Sequence, residues 1–191
     1  MGVARSLIIS TVFLALPLTL THAQTTGEPI KIVGAAIDPN TGRSGHIEFD
    51  IARWSTNAET DRLLGILEEQ GQQALVNAFE KNLRVGTMRM AGQLGYDLRW
   101  ATRSPIPDGG TSIVLATDRR MSFAELRNQP RSVNYPFTWI QIHLNNDGEG
   151  EGTMSLVTKV TSAGGRDLVL ENYDLMQPVR LTSLRTEKLK R

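Results

Sequence analysis

The sequence predicts an α+β protein, predominantly an antiparallel β meander with one long amphipathic helix between an N-terminal hairpin and the main sheet. Most of the chain alternates apolar and polar residues with a period of two, which is typical of half-buried strands. One segment, after Asn57, has instead the 3.6-residue period of a helix. Because the connections between the alternating segments are short, we expect neighbouring strands to be antiparallel, in a curved or barrel-like sheet.

The first part of the chain, residues 1–23, has the features of a signal peptide. Arg5 precedes an apolar run, residues 7–20, and the sequence Thr-His-Ala that ends at Ala23 supplies the small residues that signal peptidase requires. The run is shorter than the ~20 residues that cross a bilayer. We therefore expect cleavage near Ala23, no transmembrane segment in the mature chain, and one globular domain over residues 24–191. The mature protein would lie in the periplasm or outside the cell.

Composition excludes several classes of function. The chain has 21 Lys plus Arg and 20 Asp plus Glu, and this near neutrality argues against a dedicated nucleic-acid-binding protein. The absence of Cys excludes disulfide-rich extracellular modules, thiol proteases and cysteine-ligated zinc sites. The glycines at 148, 150 and 152 are followed by a strand, whereas a dinucleotide-binding fingerprint opens a helix. We therefore expect no cofactor.

The first predicted elements are a hairpin and the helix. Residues 30–37 and 46–54 both alternate, and a dense turn signal at residues 38–42 joins them. The helix follows Asn57, and Gly71 costs ~1 kcal/mol relative to Ala inside it, so the helix can divide there. Its apolar stripe consists of Leu64, Leu67, Leu75, Ala78 and Phe79.

The remaining predicted elements are strands, apart from one short helix. That helix begins at a capping box formed by Ser122 and Glu125 and ends before Pro130. A Gly-rich turn, residues 145–152, joins two strands into the hairpin around which we expect the sheet to be arranged. The strands are predicted at residues 85–90, 96–102, 111–117, 137–144, 153–160, 167–175 and 179–185.

The strand predicted at residues 137–144 carries candidate ligand contacts. One of its faces is uniformly apolar, while the other presents Trp139, Gln141 and His143. Such a mixture of apolar wall and polar groups is typical of ligand pockets, although the face can equally pack under a helix. The first hypothesis is therefore a non-catalytic binding module for a small apolar or amphipathic ligand.

Two alternatives stay open. His46, Glu48 and Asp50 share one strand face, and an imidazole with two carboxylates can form a weak metal site, so a metal-assisted hydrolase that also uses His143 is one of them. A solvated strand face explains the same pattern. The other is an envelope structural or protein-interaction factor, which would have an exposed apolar patch or a free sheet edge. No serine lies in a nucleophile motif, so no catalytic residue is assigned.

Overall fold

The structure of the chain is a computed structural model that describes residues 27–91, 95–107, 109–118, 130–164, 167–173 and 176–188. The predicted signal peptide and the predicted short helix before Pro130 lie outside the described residues. Neither helix in the described part of the chain is long and apolar enough to cross a bilayer.

Within the described residues the chain forms ten strands and two α-helices. The helices are consecutive, and both lie between the second and third strands. A short 3-10 helix, Pro130–Asn134, precedes the seventh strand. The strands are β1 (Ile30–Asp38), β2 (Arg43–Ile51), β3 (Gly86–Met90), β4 (Tyr96–Leu98), β5 (Trp100–Pro105), β6 (Thr111–Asp118), β7 (Phe137–Leu144), β8 (Glu149–Gly164), β9 (Asp167–Asn172) and β10 (Val179–Lys188), and the helices are α1 (Asn57–Gln70) and α2 (Gln72–Lys81).

All ten strands belong to one antiparallel sheet that is nearly closed. Its order is β4-β3-β2-β1-β10-β8-β7-β6-β5, with β9 paired to β8. The two strands at the ends of this order, β4 and β5, are consecutive in the chain and separated only by Arg99. The Arg99 amide donates to the Ala116 carbonyl of β6 at 3.0 Å, and the Thr117 hydroxyl donates to the Asp97 carbonyl at 2.6 Å. One continuous segment therefore joins the two ends into a barrel-like sheet.

The inside of the barrel-like sheet is an apolar core. Successive side chains of a strand point to opposite faces, so β2 directs Ile47, Phe49 and Ile51 inwards, and all three are fully buried. Every strand of the closed path contributes at least one buried apolar side chain to this core. Other members of this core are Ile32, Met88, Leu98, Ile113, Leu115, Ile140, Ile142, Met154, Leu181 and Leu184.

The two helices cover part of the outer face of the sheet, over β5 to β8. Their buried side chains, which include Leu63, Leu67 and Phe79, form a second apolar cluster with the outward side chains of β5 to β8. Phe79 meets Phe137 edge to face, with the ring centroids 5.5 Å apart. The helices therefore bury their apolar stripe on sheet, as an amphipathic helix must.

The prediction of a mostly antiparallel α+β fold is confirmed, but the single long helix is not. Helix α1 begins at a capping box in which Thr56 accepts from the Glu59 amide and Glu59 accepts from the Thr56 amide. It ends at Gly71, whose positive φ of 80° separates it from α2. The predicted N-terminal hairpin is also part of the main sheet, because β1 pairs with β10 as well as with β2.

Candidate functional site

A cavity of about 350 Å³ opens at one end of the barrel-like sheet. At this end, which we call the mouth, β1 and β3 end and β2 and β10 begin. The cavity has the volume of a small-molecule site, for which 300 to 1,000 Å³ is usual. Its apolar wall is formed by Ala36, Gly45, Met90, Met154, Leu156 and Val179, and its polar rim includes Asp38, Thr41, Arg43, Ser44 and His46.

Strand register explains why these apolar residues share one cavity. Residues directly opposite each other on paired strands lie on the same face. Gly45 is opposite Ala36, and Val179 is opposite Met154. Met90 is opposite Ile47, an inward-facing residue of β2, and is half-buried beside the core. The cavity is therefore the unfilled upper end of the apolar interior.

Gly45 keeps this end of the interior open. A Cβ added to Gly45 would have no heavy atom within 4 Å. At Gly150, by contrast, a Cβ would collide with the carbonyl oxygen of His143, so close packing of the backbone requires that glycine. No neighbouring backbone or side chain imposes the same requirement on Gly45. Gly45 is exposed and lines the cavity, so the space that a side chain would occupy at this position is open.

The acidic group of the rim is held by its own turn. Asp38 Oδ1 accepts from the Asn40 amide at 2.9 Å and from Asn40 Nδ2 at 3.0 Å, and Oδ2 accepts from the Thr41 hydroxyl at 2.7 Å. Desolvation works to raise the pKa of Asp38, but the hydrogen bonds from Thr41 and Asn40 outweigh it and lower the pKa. Asp38 is therefore an ionised group already supplied with donors.

The same turn is hydrogen-bonded to the segment just before β10. Asn40 Nδ2 donates to the Gln177 carbonyl at 2.8 Å, and the Gln177 amide donates to Asn40 Oδ1 at 3.0 Å. These two bonds join the β1–β2 turn to the residues just before Val179, which lines the cavity on the neighbouring strand β10. The Asn40 side chain therefore holds this part of the rim against the backbone of the neighbouring segment.

The predicted ligand contacts on β7 lie on the outer face of the sheet. Trp139 is only 4% exposed and packs beneath the helices, while Gln141 and His143 are exposed. None of the three lines the cavity at the mouth. The sequence left open whether this face lines a pocket or packs under a helix, and Trp139 packs under the helices.

The predicted metal ligands take part in a row of hydrogen bonds and ion pairs on the outer face. Glu48 lies 3.0 Å from Lys31 Nζ and 3.2 Å from His46 Nε2, and Asp50 lies 2.7 Å from Arg89. The hydrogen bond from Lys31 is the main reason that the pKa of Glu48 is lowered. In the described part of the chain, no group of three or more His, Asp or Glu side chains is arranged to hold a metal ion.

The second histidine of the hydrolase hypothesis lies elsewhere. His143 is on β7 and His46 is on β2, and three strands stand between these two in the sheet order. Of the residues proposed for that hypothesis, His46 alone lines the cavity.

Sequence reasoning missed most of the residues that line the cavity. It placed the start of the second strand at His46, whereas β2 begins at Arg43. With the correct start, the inward positions read Arg43, Gly45, Ile47, and the glycine in an alternating strand would have been the available signal.

Comparison of the chain with protein-family models, with curated proteins and with solved structures finds no match.

Proposed function

We propose that the protein is a non-catalytic binding module that takes a small apolar or amphipathic molecule into the mouth of the barrel-like sheet. One observation carries the proposal: an apolar cavity of about 350 Å³ is continuous with the core and is left open by the inward-facing Gly45. Small-molecule sites are typically concave, mostly apolar and furnished with a few polar groups at fixed positions.

The side chains of the wall suit an apolar guest. Met90, Met154 and Leu156 all line the cavity. Methionine is flexible and polarisable, so two methionines can adjust to ligands of different shapes. We therefore expect the site to bind apolar ligands of suitable size without requiring one precise shape.

Titration with a neutral solvatochromic dye tests the proposal. Wild-type protein should bind the dye saturably, and Gly45→Leu should abolish or strongly weaken binding because the new side chain fills the cavity. Gly65→Leu is the matched control, because a Cβ at Gly65, on α1, also meets nothing within 4 Å. This variant adds the same side chain away from the mouth and should bind the dye as the wild type does. Equal dye affinity in wild type and Gly45→Leu would refute the proposed site.

A protein-interaction role is the second candidate, and the free edge of the sheet favours it. In the described ranges β9 pairs with β8 alone, and Val169 of β9 is 53% exposed. An unpaired edge can accept a strand from another chain. Val169→Lys should weaken such an association while leaving dye binding unchanged, which separates the two functions.

We also propose that the protein is exported and that the mature chain begins at Gln24. The support is the order of features in the first 23 residues: a basic residue, a short apolar run and a Thr-x-Ala sequence before the cut. Mass spectrometry of the protein purified from its own host tests this. An intact N-terminus in a cytosolic fraction would contradict export.

A further inference from the structure

We infer that the ligand of the mouth cavity is an amphiphile with an anionic head group, which Arg43 receives at the rim. This inference rests on the proposed function and adds the charge of the ligand to it.

The direction of the Arg43 side chain follows from the alternation of β2. Positions 43, 45, 47, 49 and 51 of β2 share one face, and the last three of these are buried in the core. Arg43 is therefore the outermost inward-facing position of the strand. It lines the cavity, and from this rim position its side chain can reach the head of a ligand seated in the apolar wall.

Asp38 and Arg43 differ in whether their charged groups already have hydrogen-bond partners. Both carboxylate oxygens of Asp38, directly opposite Arg43 in the register, already accept hydrogen bonds from Asn40 and Thr41. Arg43 uses its backbone amide on the Thr41 hydroxyl, and no ion pair or hydrogen bond joins its guanidinium to any residue within the described ranges.

His46 is the other ionisable side chain of the described rim. Its Nε2 lies 3.2 Å from a carboxylate oxygen of Glu48 on the outer face, and Glu48 also accepts a hydrogen bond from Lys31. Both His46 and Glu48 therefore already have partners. Among the charged groups of the described rim, the Arg43 guanidinium is therefore the one donor without a described partner, whereas the ionised Asp38 opposite it already accepts hydrogen bonds. A guanidinium favours a carboxylate or phosphate because its planar donors match their oxygens.

Competition for the neutral dye by four ligands of equal chain length tests the inference: decanoate, decyl phosphate, decanol and decylamine, each below its micelle concentration. Decanoate and decyl phosphate should displace the dye at concentrations about fivefold lower than decanol, which is the gain from one exposed ion pair. Comparison of the two anions distinguishes a carboxylate head from a phosphate head. The advantage over decanol should shrink as salt is added.

Variants at the rim assign the effect to one residue. Arg43→Gln should bind decanoate and decanol equally, and Arg43→Lys should restore part of the preference. Arg180→Gln is the matched control: it removes one positive charge from an exposed position of β10, opposite the outward-facing Ile37, and should keep the preference for decanoate.

The outcomes separate this inference from the proposed function. If decanoate and decanol bind wild type equally, or decylamine binds more tightly than either, the anionic head group is wrong while the cavity stands. A preference for decanoate that persists in Arg43→Gln also overturns it. If neither the dye nor any of the four ligands binds, the proposed function fails as well.

Discussion

Trp100 and Trp139 meet edge to face beneath the helices, with ring centroids 5.4 Å apart and an angle of 81° between the planes. Trp100 Nε1 donates to the Thr60 hydroxyl of α1 at 3.2 Å. Trp139 Nε1 is buried with no hydrogen-bond acceptor among the described residues. One buried polar contact therefore fixes α1 on a sheet surface that is otherwise held by apolar packing.

The Thr60–Trp100 contact leads to a stability prediction. Thr60→Val removes the acceptor but keeps the side-chain shape, so the Trp100 indole would be left buried and unpaired. We expect the free energy of unfolding to fall by about 1–3 kcal/mol. Thr60→Ser retains a hydroxyl and should lose less. Urea denaturation measures both variants, and a Thr60→Val protein as stable as the wild type would contradict the prediction.

The capping box of α1 predicts a pH dependence. Hydrogen bonds from Arg53 and the Thr56 amide lower the pKa of Glu59 below its ordinary value of 4.5, against a smaller opposing effect of desolvation. A group whose pKa is lower in the folded state stabilises the fold above its unfolded pKa, and the stabilisation disappears as the pH falls through the folded pKa. Gln keeps the capping-box bond but loses the charge that pairs with Arg53, so Glu59→Gln should be less stable than wild type at neutral pH, by about 0.5 kcal/mol.

Denaturation of both proteins across the acid range checks this prediction. The difference between wild type and Glu59→Gln should narrow as the pH falls below about 4.5. A difference that stays constant down to the acid transition would show that the ionised carboxylate is not its source.

The two glycines compared above predict opposite responses to a methyl group. Gly150→Ala forces a Cβ into the His143 carbonyl oxygen, which we expect to lower the free energy of unfolding by about 2–3 kcal/mol. Gly45→Ala places its methyl in open space and should raise that free energy by about 0.5 kcal/mol, because the unfolded chain loses conformational freedom. Thermal or urea denaturation measures both. Equal losses in the two variants would mean that position 45 is not open.

The alternation of β2 and β7 was readable from the sequence because burial on one face imposes a period of two. The same alternation does not reveal which elements meet. The long-range pairing of β1 with β10 joins residues at the two ends of the chain, and nothing local signals it. Gly71 was recognised as a weak point of the helix, but whether it adopts a positive φ depends on how both halves pack on the sheet.

The site was harder to predict than the fold for a physical reason. A mixed face such as that of Trp139, Gln141 and His143 has the composition of a pocket, but whether it is covered depends on where the helices lie. The apolar wall of the cavity is built from one or two residues of each of five strands, and each residue alone has the pattern of ordinary core. Only Gly45, a missing side chain in an inward position, departs from that pattern.

Entry of a ligand into the mouth of the barrel-like sheet is tested most directly by methionine methyl NMR. Met90 and Met154 line the cavity, whereas Met88 is buried deeper in the core and does not. With signals assigned by single Met→Leu substitutions, titration with decanol should move the Met90 and Met154 methyl resonances together and saturably, with a smaller change at Met88. Saturable binding that leaves the Met90 and Met154 resonances unmoved would contradict the account.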